Sequence, residues 1–168
     1  SRRRRCARQA DARGAGGGGQ RLANALDVAG AEGELVWHRE TDLSEFDGIV
    51  LPGGFAHGDY LRTGAIARFS PVMREVERLA NDGRPVVGIC NGFQVLTAAG
   101  LLPGALGHNA QGRFDCRWVV LDAVPDSASV WTTGIDAPIH CPIAHGEGRY
   151  VHPDPDGLAA NGQVVLRY

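Results

Sequence analysis

The hydrophobic positions of this 168-residue chain form short apolar runs that alternate with helical patterns. Runs rich in β-branched residues predict buried strands at residues 35–37, 48–51 and 86–89. Apolar residues spaced three or four positions apart predict helices at residues 22–29, 65–80 and 91–99, and Pro71 predicts a break near Ser70. Strands and helices that alternate through short loops are typical of a parallel sheet covered by helices on both faces. The first half of the chain therefore predicts an α/β fold.

The second half predicts further strands around a polar loop. Strands are expected at residues 115–121, 130–132, 136–143 and 163–166, and a glycine-rich polar loop is expected at residues 144–150. No internal repeat and no linker composition interrupts this pattern. We therefore expect a single domain that extends from Leu22 to Tyr168.

The first 21 residues differ in composition from the rest of the chain. They hold seven arginines and one aspartate, with four consecutive arginines at positions 2–5 and four consecutive glycines at positions 16–19. Because like charges repel and consecutive glycines disfavour regular structure, we expect this segment to be disordered and unable to supply a central strand. A basic arm that binds RNA is the alternative, although the segment has no aromatic residues to stack on bases.

The net charge of −2 is the sum of a basic N-terminal segment and an acidic remainder of the chain. Beyond residue 21 the chain has ten arginines, eighteen acidic residues and no lysine, a balance that disfavours nucleic-acid binding. No apolar run is long enough for a membrane span, and no signal-peptide pattern follows the basic start. The four cysteines lie in neither CxxC nor zinc-ligand spacing, so we expect no metal site and a reduced, cytoplasmic setting.

The candidate chemistry centres on Cys90, which lies between the third predicted strand and the third predicted helix. Gly88 and Gly92 flank it as Gly-x-Cys-x-Gly, the cysteine form of the nucleophile elbow. Such a turn exposes one side chain and requires small neighbours where backbone segments approach closely. It would place Cys90 at a helix N-terminus, which favours a thiolate, and the N–H of Asn91 where it can stabilise an oxyanion. The alternative, from this motif alone, is a small cysteine buried in the core.

A second glycine-rich stretch, Pro52-Gly53-Gly54-Phe55, follows the strand predicted at residues 48–51. Ligands of open α/β sheets bind beyond the carboxyl ends of the strands. Successive glycines at that position allow backbone N–H groups to face a ligand, although a Pro-Gly-Gly sequence alone is more often a plain turn.

Three stretches together resemble the class I, or triad, glutamine amidotransferases. They are Leu51-Pro52-Gly53-Gly54-Phe55, Gly88-Ile89-Cys90-Asn91-Gly92-Phe93-Gln94 and Pro142-Ile143-Ala144-His145-Gly146-Glu147-Gly148. The resemblance extends over residues 22–168. It implies a flavodoxin-like three-layer sandwich with a mostly parallel central sheet. It also implies a glutaminase, in which a thiolate attacks the side-chain amide of L-glutamine.

The resemblance assigns a role to each matching position. Cys90 is the nucleophile, and the backbone N–H groups of Gly54 and Asn91 form the oxyanion hole. The positions that contact glutamine are Gly53, Phe55, Gln94, His145, Gly146 and Glu147. A local alternative for His145 is a loop histidine that is bonded to its neighbours.

The resemblance also implies partners for the chain. The ammonia would pass to a large synthetase subunit, in a complex that also holds a small accessory subunit. ATP and magnesium would be used by the synthetase subunit, so no cofactor is expected on this chain.

The C-terminal part of the chain departs from the family pattern. The family's general base belongs to a His-Pro-Glu segment that follows the last strand, and no such segment follows residues 163–166. His152-Pro153-Asp154 is similar, but it precedes that strand, so we interpret His152 as unrelated to the base. The general base histidine and its supporting glutamate are therefore expected to be absent from this chain.

The N-terminal segment is the other departure, because the family begins with a buried strand. Our hypothesis is that residues 1–21 are not native family sequence and derive from a shifted reading frame in a GC-rich gene. Sequencing the upstream DNA tests this hypothesis, which fails if neither alternative frame encodes an apolar strand.

Two further functions remain open at this point. One is a cysteine-elbow hydrolase of the wider superfamily, a peptidase or a deglycase, in which an acidic residue supports the cysteine. The other is a glutaminase-like module that docks on its synthetase without catalysis, and that would release no ammonia when glutamine is added.

Overall fold

The computed structural model describes residues 5–10, 17–53, 69–125 and 127–168, with the side chains of these ranges except those of residues 7–10 and 17–20. The chain forms two compact units, residues 1–103 and residues 104–168. Nothing in the hydrophobic pattern indicates a boundary between Pro103 and Gly104.

The first unit is built on a four-stranded sheet in which every ladder is parallel. The strands are β1 (Arg5–Ala10), β2 (Glu32–Trp37), β3 (Gly48–Leu51) and β4 (Val86–Gly88), in the order β2-β1-β3-β4. The helices described in this unit are α1 (Gly17–Val28), α2 (Pro71–Asn81) and α3 (Asn91–Ala98). The predicted α/β class with its mostly parallel central sheet is confirmed. In the described ranges no helix is both long enough and apolar enough to cross a membrane.

Helix α2 buries one face against the sheet. It begins at Pro71, directly after Ser70, where the sequence predicts a new helix start. Its buried side chains are Val72, Met73, Val76 and Leu79. They share one hydrophobic cluster with Ile49 and Leu51 of β3. The earlier part of the predicted helix, residues 65–68, lies outside the described residues.

Strand β1 corrects the expectation that residues 1–21 cannot supply a central strand, and residues 5–10 and 17–21 of this segment have regular structure instead of the expected disorder. The strand lies between β2 and β3, and α1 also begins within this segment. A parallel ladder is made of backbone groups, so it tolerates an arginine at the strand start where the charge is paired. The Arg5 guanidinium lies 2.5 Å from Glu34 and 2.5 Å from Glu45, and its backbone N–H donates to Asp47. Acidic neighbours therefore offset the repulsion on which the expectation depended.

The second unit is antiparallel. Its main ladder pairs β6 (Asp115–Ala123) with β7 (Ile139–His145), and the short β9 (Leu166–Arg167) pairs with the end of β6. A separate ladder joins β5 (Ala105–Gly107) to β8 (Arg149–Val151), and helix α4 (Pro155–Ala160) follows. The strand predicted at residues 115–121 is confirmed. Those predicted at 136–143 and 163–166 are confirmed in part, because β7 begins at Ile139 and β9 at Leu166.

Residues 130–132, predicted as a strand, form a turn instead. The carbonyl of Ser129 accepts hydrogen bonds from the N–H of Thr132 at 3.4 Å and from the hydroxyl of Thr133 at 3.2 Å. These bonds close the chain on itself, and Val130 is left 65% exposed. The β-branched composition that predicted a strand is therefore overridden by local bonds to one carbonyl.

The acid sensitivity of the first unit is expected to depend on Glu75 in α2. Arg78 donates to the Glu75 carboxylate at 2.8 Å, and this bond is the main cause that lowers the pKa of Glu75 below its usual 4.5. The unfolded chain therefore binds the proton first as the pH falls. The pair stabilises the fold above about pH 4.5, and the contribution disappears as the pH drops through the folded pKa.

We expect Glu75→Gln to flatten the decline in unfolding free energy between about pH 5 and pH 3. Urea titrations at several pH values measure this slope. Glu77→Gln is the control, because Glu77 is exposed on the same helix. Equal slopes in the two variants would show that the Glu75–Arg78 pair does not set the acid sensitivity.

Candidate active site

A sharp turn between β4 and α3 presents Cys90 to solvent. Cys90 is exposed and occupies the N-cap of α3, as the sequence predicts. Its backbone adopts φ 56° and ψ −115°, the one positive φ of a non-glycine residue in the described ranges. Such a conformation costs about 1–3 kcal/mol and persists only where the surrounding structure enforces it. The turn therefore has both the strain and the exposure of a nucleophile elbow.

Three glycines make room for this turn. A Cβ on Gly92 would lie 2.0 Å from the carbonyl oxygen of Leu51, and a Cβ on Gly88 would lie 2.6 Å from the Gly92 backbone. A Cβ on Gly53 would lie 2.7 Å from the Cβ of Cys90. No side chain fits at these positions, so β3, β4 and α3 approach one another as only glycine permits. The predicted need for small neighbours around Cys90 is confirmed.

Backbone hydrogen bonds hold the turn on both sides. The N–H of Ile89 donates to the carbonyl of Leu51 at 2.9 Å, which extends the β3–β4 ladder to the residue before Cys90. The N–H of Phe93 donates to the carbonyl of Cys90 at 3.0 Å, which starts the helix directly at the turn. The nucleophile candidate is therefore fixed between a strand end and a helix N-terminus.

The predicted oxyanion hole lies partly within the described structure. Asn91 is 7% exposed in the first turn of α3, next to Cys90. Gly53 adjoins Cys90 from the end of β3, since a Cβ there would lie 3.4 Å from the Cys90 Sγ. Gly54 and Phe55 lie outside the described residues. The roles of Gly54 and Asn91 as oxyanion donors stay predictions.

Gln94 carries an unsatisfied amide oxygen one helical turn after Cys90. Its N–H lies 3.4 Å from the carbonyl of Cys90, so both residues belong to the same turn of α3. In the part of the chain that the structure describes, the buried Oε1 of Gln94 has no hydrogen-bond partner. Leaving such a group unpaired costs about 1–3 kcal/mol. An exposed thiol at a helix N-terminus suits covalent attack on an amide substrate.

The remaining predicted contacts lie in the second unit, in the loop between β7 and β8. His145 ends β7, and Gly146 and Glu147 follow it. The Glu147 carboxylate lies 3.3 Å from Nδ1 of His108 and is 14% exposed. The Nδ1 of His145 lies 3.0 Å from Oδ1 of Asn109, a buried residue absent from the predicted site. Nothing in the sequence separates Asn109 from an ordinary asparagine of a polar turn.

His152, the residue that resembles the family's base, takes part in a local turn. Its Nδ1 lies 3.0 Å from the backbone nitrogen of Asp154 and 2.8 Å from the carbonyl oxygen of the same residue. Asp154 caps α4, because its carboxylate accepts the N–H of Gly157 at 2.9 Å, and Pro155 opens the helix. This Asp-Pro signal marks a helix that the hydrophobic pattern missed. The interpretation of His152 as unrelated to the family's base stays a prediction.

Metal-ligating side chains are not clustered in the described ranges, where no group of three or more His, Cys, Asp and Glu residues could hold an ion.

The predicted site residues fall into two sets. Gly53, Cys90, Asn91 and Gln94 lie together in the first unit, and His145, Gly146 and Glu147 lie together in the second.

Comparisons with known proteins converge on one family. The family model for the CobB/CobQ-like glutamine amidotransferase domain matches residues 13–168, so the match begins inside the segment expected to be foreign to the family. A Thermomicrobium roseum protein named phosphoribosylformylglycinamidine synthase subunit PurQ is 55% identical over 144 residues, 83% of this chain and 60% of that protein. The Mycobacterium bovis protein of the same name is 52% identical over 150 residues, 87% of this chain and 66% of that protein.

Solved structures agree with the family model. A chain in the structure of PurLQS from Thermotoga maritima matches with a TM-score of 0.80 and 36% identity, over 99% of this chain and 75% of that chain. A glutamine amidotransferase from the same organism matches with a TM-score of 0.63 and 17% identity, over 91% of this chain and 64% of the other, which supports the fold alone. The chain spans 60% and 66% of the two curated relatives named above. With the family model matched over most of its length, the chain belongs to the CobB/CobQ-like glutamine amidotransferase domain family.

Proposed function

We propose that this chain is the glutaminase part of a phosphoribosylformylglycinamidine synthase. It hydrolyses L-glutamine to glutamate and ammonia. The ammonia then serves the ATP-dependent conversion of formylglycinamide ribonucleotide to formylglycinamidine ribonucleotide in purine biosynthesis. The observation that carries the proposal is the strained, exposed Cys90 elbow, in a chain whose relatives at 50–55% identity bear the name of that subunit.

The elbow supplies the chemistry of amide hydrolysis. The Cys90 thiolate attacks the side-chain carbonyl carbon of glutamine, and the carbonyl π electrons move to the oxygen to form a tetrahedral oxyanion. The N–H groups of Asn91 and Gly54 stabilise that oxyanion. The C–N bond then breaks as the nitrogen takes up a proton from water, because the family's general base is not expected on this chain, and ammonia leaves a γ-glutamyl thioester. Water hydrolyses the thioester to glutamate and restores Cys90.

The remaining site residues bind the substrate. The assignments of Gln94, Gly53 and Phe55 to glutamine binding come from the resemblance and stay predictions. The assignment of His145–Glu147 to the α-amino and α-carboxylate ends of glutamine comes from the resemblance and stays a prediction.

The ammonia is delivered to a large synthetase subunit in a cytoplasmic complex with a small accessory subunit. ATP and magnesium bind the synthetase subunit, and no cofactor binds this chain. The similarity to a chain of PurLQS, at 36% identity over 99% of this chain, supports an assembly of this kind.

Glutamine-dependent ammonia release tests the proposed function. The chain is mixed with the large and small subunits of a homologous synthase, formylglycinamide ribonucleotide, ATP and magnesium, and glutamate, ammonia and the amidine are measured. We expect the glutamate formed to equal the sum of free ammonia and amidine. If free ammonia supports amidine formation and glutamine does not, the chain is a docking module without glutaminase activity.

A further inference from the structure

One buried side chain, that of Asn109, organises the loop between β7 and β8. Asn109 is 6% exposed, and its amide nitrogen donates to the carbonyls of Arg113 at 2.9 Å and His145 at 2.8 Å. Its amide oxygen accepts the N–H of Gly148 at 3.3 Å and lies 3.0 Å from Nδ1 of His145. Its backbone N–H donates to the carbonyl of Gly146 at 3.0 Å. One residue thus bonds to three of the four positions from 145 to 148.

These partners determine which way the amide faces. Carbonyl oxygens only accept hydrogen bonds, so the atom that faces the carbonyls of Arg113 and His145 is Nδ2. A backbone N–H only donates, so the atom that faces Gly148 is Oδ1. This oxygen also faces Nδ1 of His145, which must therefore carry a proton. A neutral His145 consequently has its lone pair on Nε2.

The position of the His145 ring is fixed as well. A Cβ on Gly148 would lie 2.4 Å from Nδ1 of the ring and 2.5 Å from two of its carbons. Only glycine allows the backbone to pass so close to the imidazole. The Gly148 backbone and the Asn109 amide therefore set the place and the tautomer of the ring together.

We propose that Asn109 is a positioning residue for substrate binding. It holds the loop and keeps His145 in the Nδ1–H tautomer, so that Nε2 accepts a hydrogen bond from the α-ammonium group of the amino-acid substrate. This inference rests on the proposed function, in which the same loop binds the ends of glutamine. In the neutral ring the Nε2 lone pair can accept from an ammonium but cannot donate to a carboxylate, so the proposal assigns a neutral His145 to the amino end.

NMR of the chain with ¹⁵N-labelled histidine reads the tautomer directly. Spectra that correlate ring nitrogens with carbon-bound ring protons distinguish a protonated from an unprotonated nitrogen, and His145→Gln assigns the signal. At alkaline pH, where imidazole is neutral, we expect the proton of His145 on Nδ1. A neutral His145 with its proton on Nε2 overturns the proposal without any variant of Asn109.

Two substitutions separate positioning from simple stability. Asn109→Asp keeps an acceptor for His145 and should preserve the Nδ1–H tautomer, whereas Asn109→Leu removes it and should shift the proton toward Nε2. Asn161→Leu is the matched control, because Asn161 is exposed in the same unit. If Asn109→Leu does not fold, the wild-type spectrum still decides, since an Nε2–H tautomer of neutral His145 contradicts the proposal.

Ligand titrations test the substrate contact. We expect L-glutamine to move the Nε2 signal of His145, and glutaramate, which lacks the α-amino group, to leave it in place. The affinity ratio of the two ligands should be about 10-fold or more in the wild type and clearly smaller in His145→Ala. If the affinity ratio is the same in the wild type and in His145→Ala, the inference about His145 is wrong and the proposed function is unaffected. Absence of glutamine binding overturns the proposed function as well.

Discussion

Replacing Gly92 with alanine is expected to lower the free energy of unfolding by about 3 kcal/mol or more. The new Cβ would lie 2.0 Å from the carbonyl oxygen and 2.7 Å from the carbonyl carbon of Leu51. Both atoms belong to the backbone of β3, whose four residues are all buried. Because neither the strand nor α3 can move away without disturbing the core, the clash cannot be relieved by a change of rotamer.

Chemical denaturation measures this effect, and Gly30→Ala is the matched control. A Cβ on Gly30 would meet nothing within 4 Å, although its φ of +80° makes alanine strained. We therefore expect a cost of about 1 kcal/mol for that substitution. If Gly92→Ala is as stable as Gly30→Ala, the close approach of β3 and α3 at the elbow is wrong.

Replacing Cys90 with glycine is expected to abolish ammonia release while making the fold more stable than Cys90→Ala does. Both substitutions remove the nucleophile, for which we expect a loss of at least about 10⁴-fold in rate. Only glycine adopts φ 56° and ψ −115° without strain. The glycine variant should therefore exceed the alanine variant in unfolding free energy by about 1 kcal/mol, after the entropy of the unfolded glycine is subtracted.

Ammonia assays and denaturation of the wild type, Cys90→Gly and Cys90→Ala measure the two effects together. Cys116→Ala is the control, because Cys116 is also an exposed free thiol. It should leave ammonia release unchanged. Equal stability of the glycine and alanine variants would show that the turn stores no strain, and residual release from both would place the nucleophile elsewhere.

The elbow was predictable because its signals are local. Gly88, Cys90 and Gly92 stand between an apolar run and a helical pattern, and the structure places a strand, a turn and a helix there. Strand β1 was not predictable, because an arginine-rich segment becomes a strand only when carboxylates 29 and 40 residues later pair with Arg5. Those contacts are tertiary, and they cannot be inferred from residue composition.

Asn109 shows the same limit within the site. Its partner His145 lies 36 residues further along the chain, and a polar loop gives no sign that one of its residues is buried. The turn at residues 130–132 is the opposite case, because bonds to the Ser129 carbonyl outweigh a strand propensity of moderate size. Sequence prediction therefore succeeded where backbone geometry requires a residue type, and failed where hydrogen bonds decide, whether to distant side chains or to a neighbouring carbonyl.

The most direct test of the central claim is the reaction of Cys90 with an electrophilic diazo-ketone analogue of glutamine, read by intact and peptide mass spectrometry. Cys116 serves as an internal reference, because it is exposed but lies outside the elbow. We predict a single label, on Cys90, that excess L-glutamine blocks. Equal labelling of both thiols with no protection by glutamine, or no labelling of Cys90 in folded protein, would contradict a glutamine-binding nucleophile at the elbow.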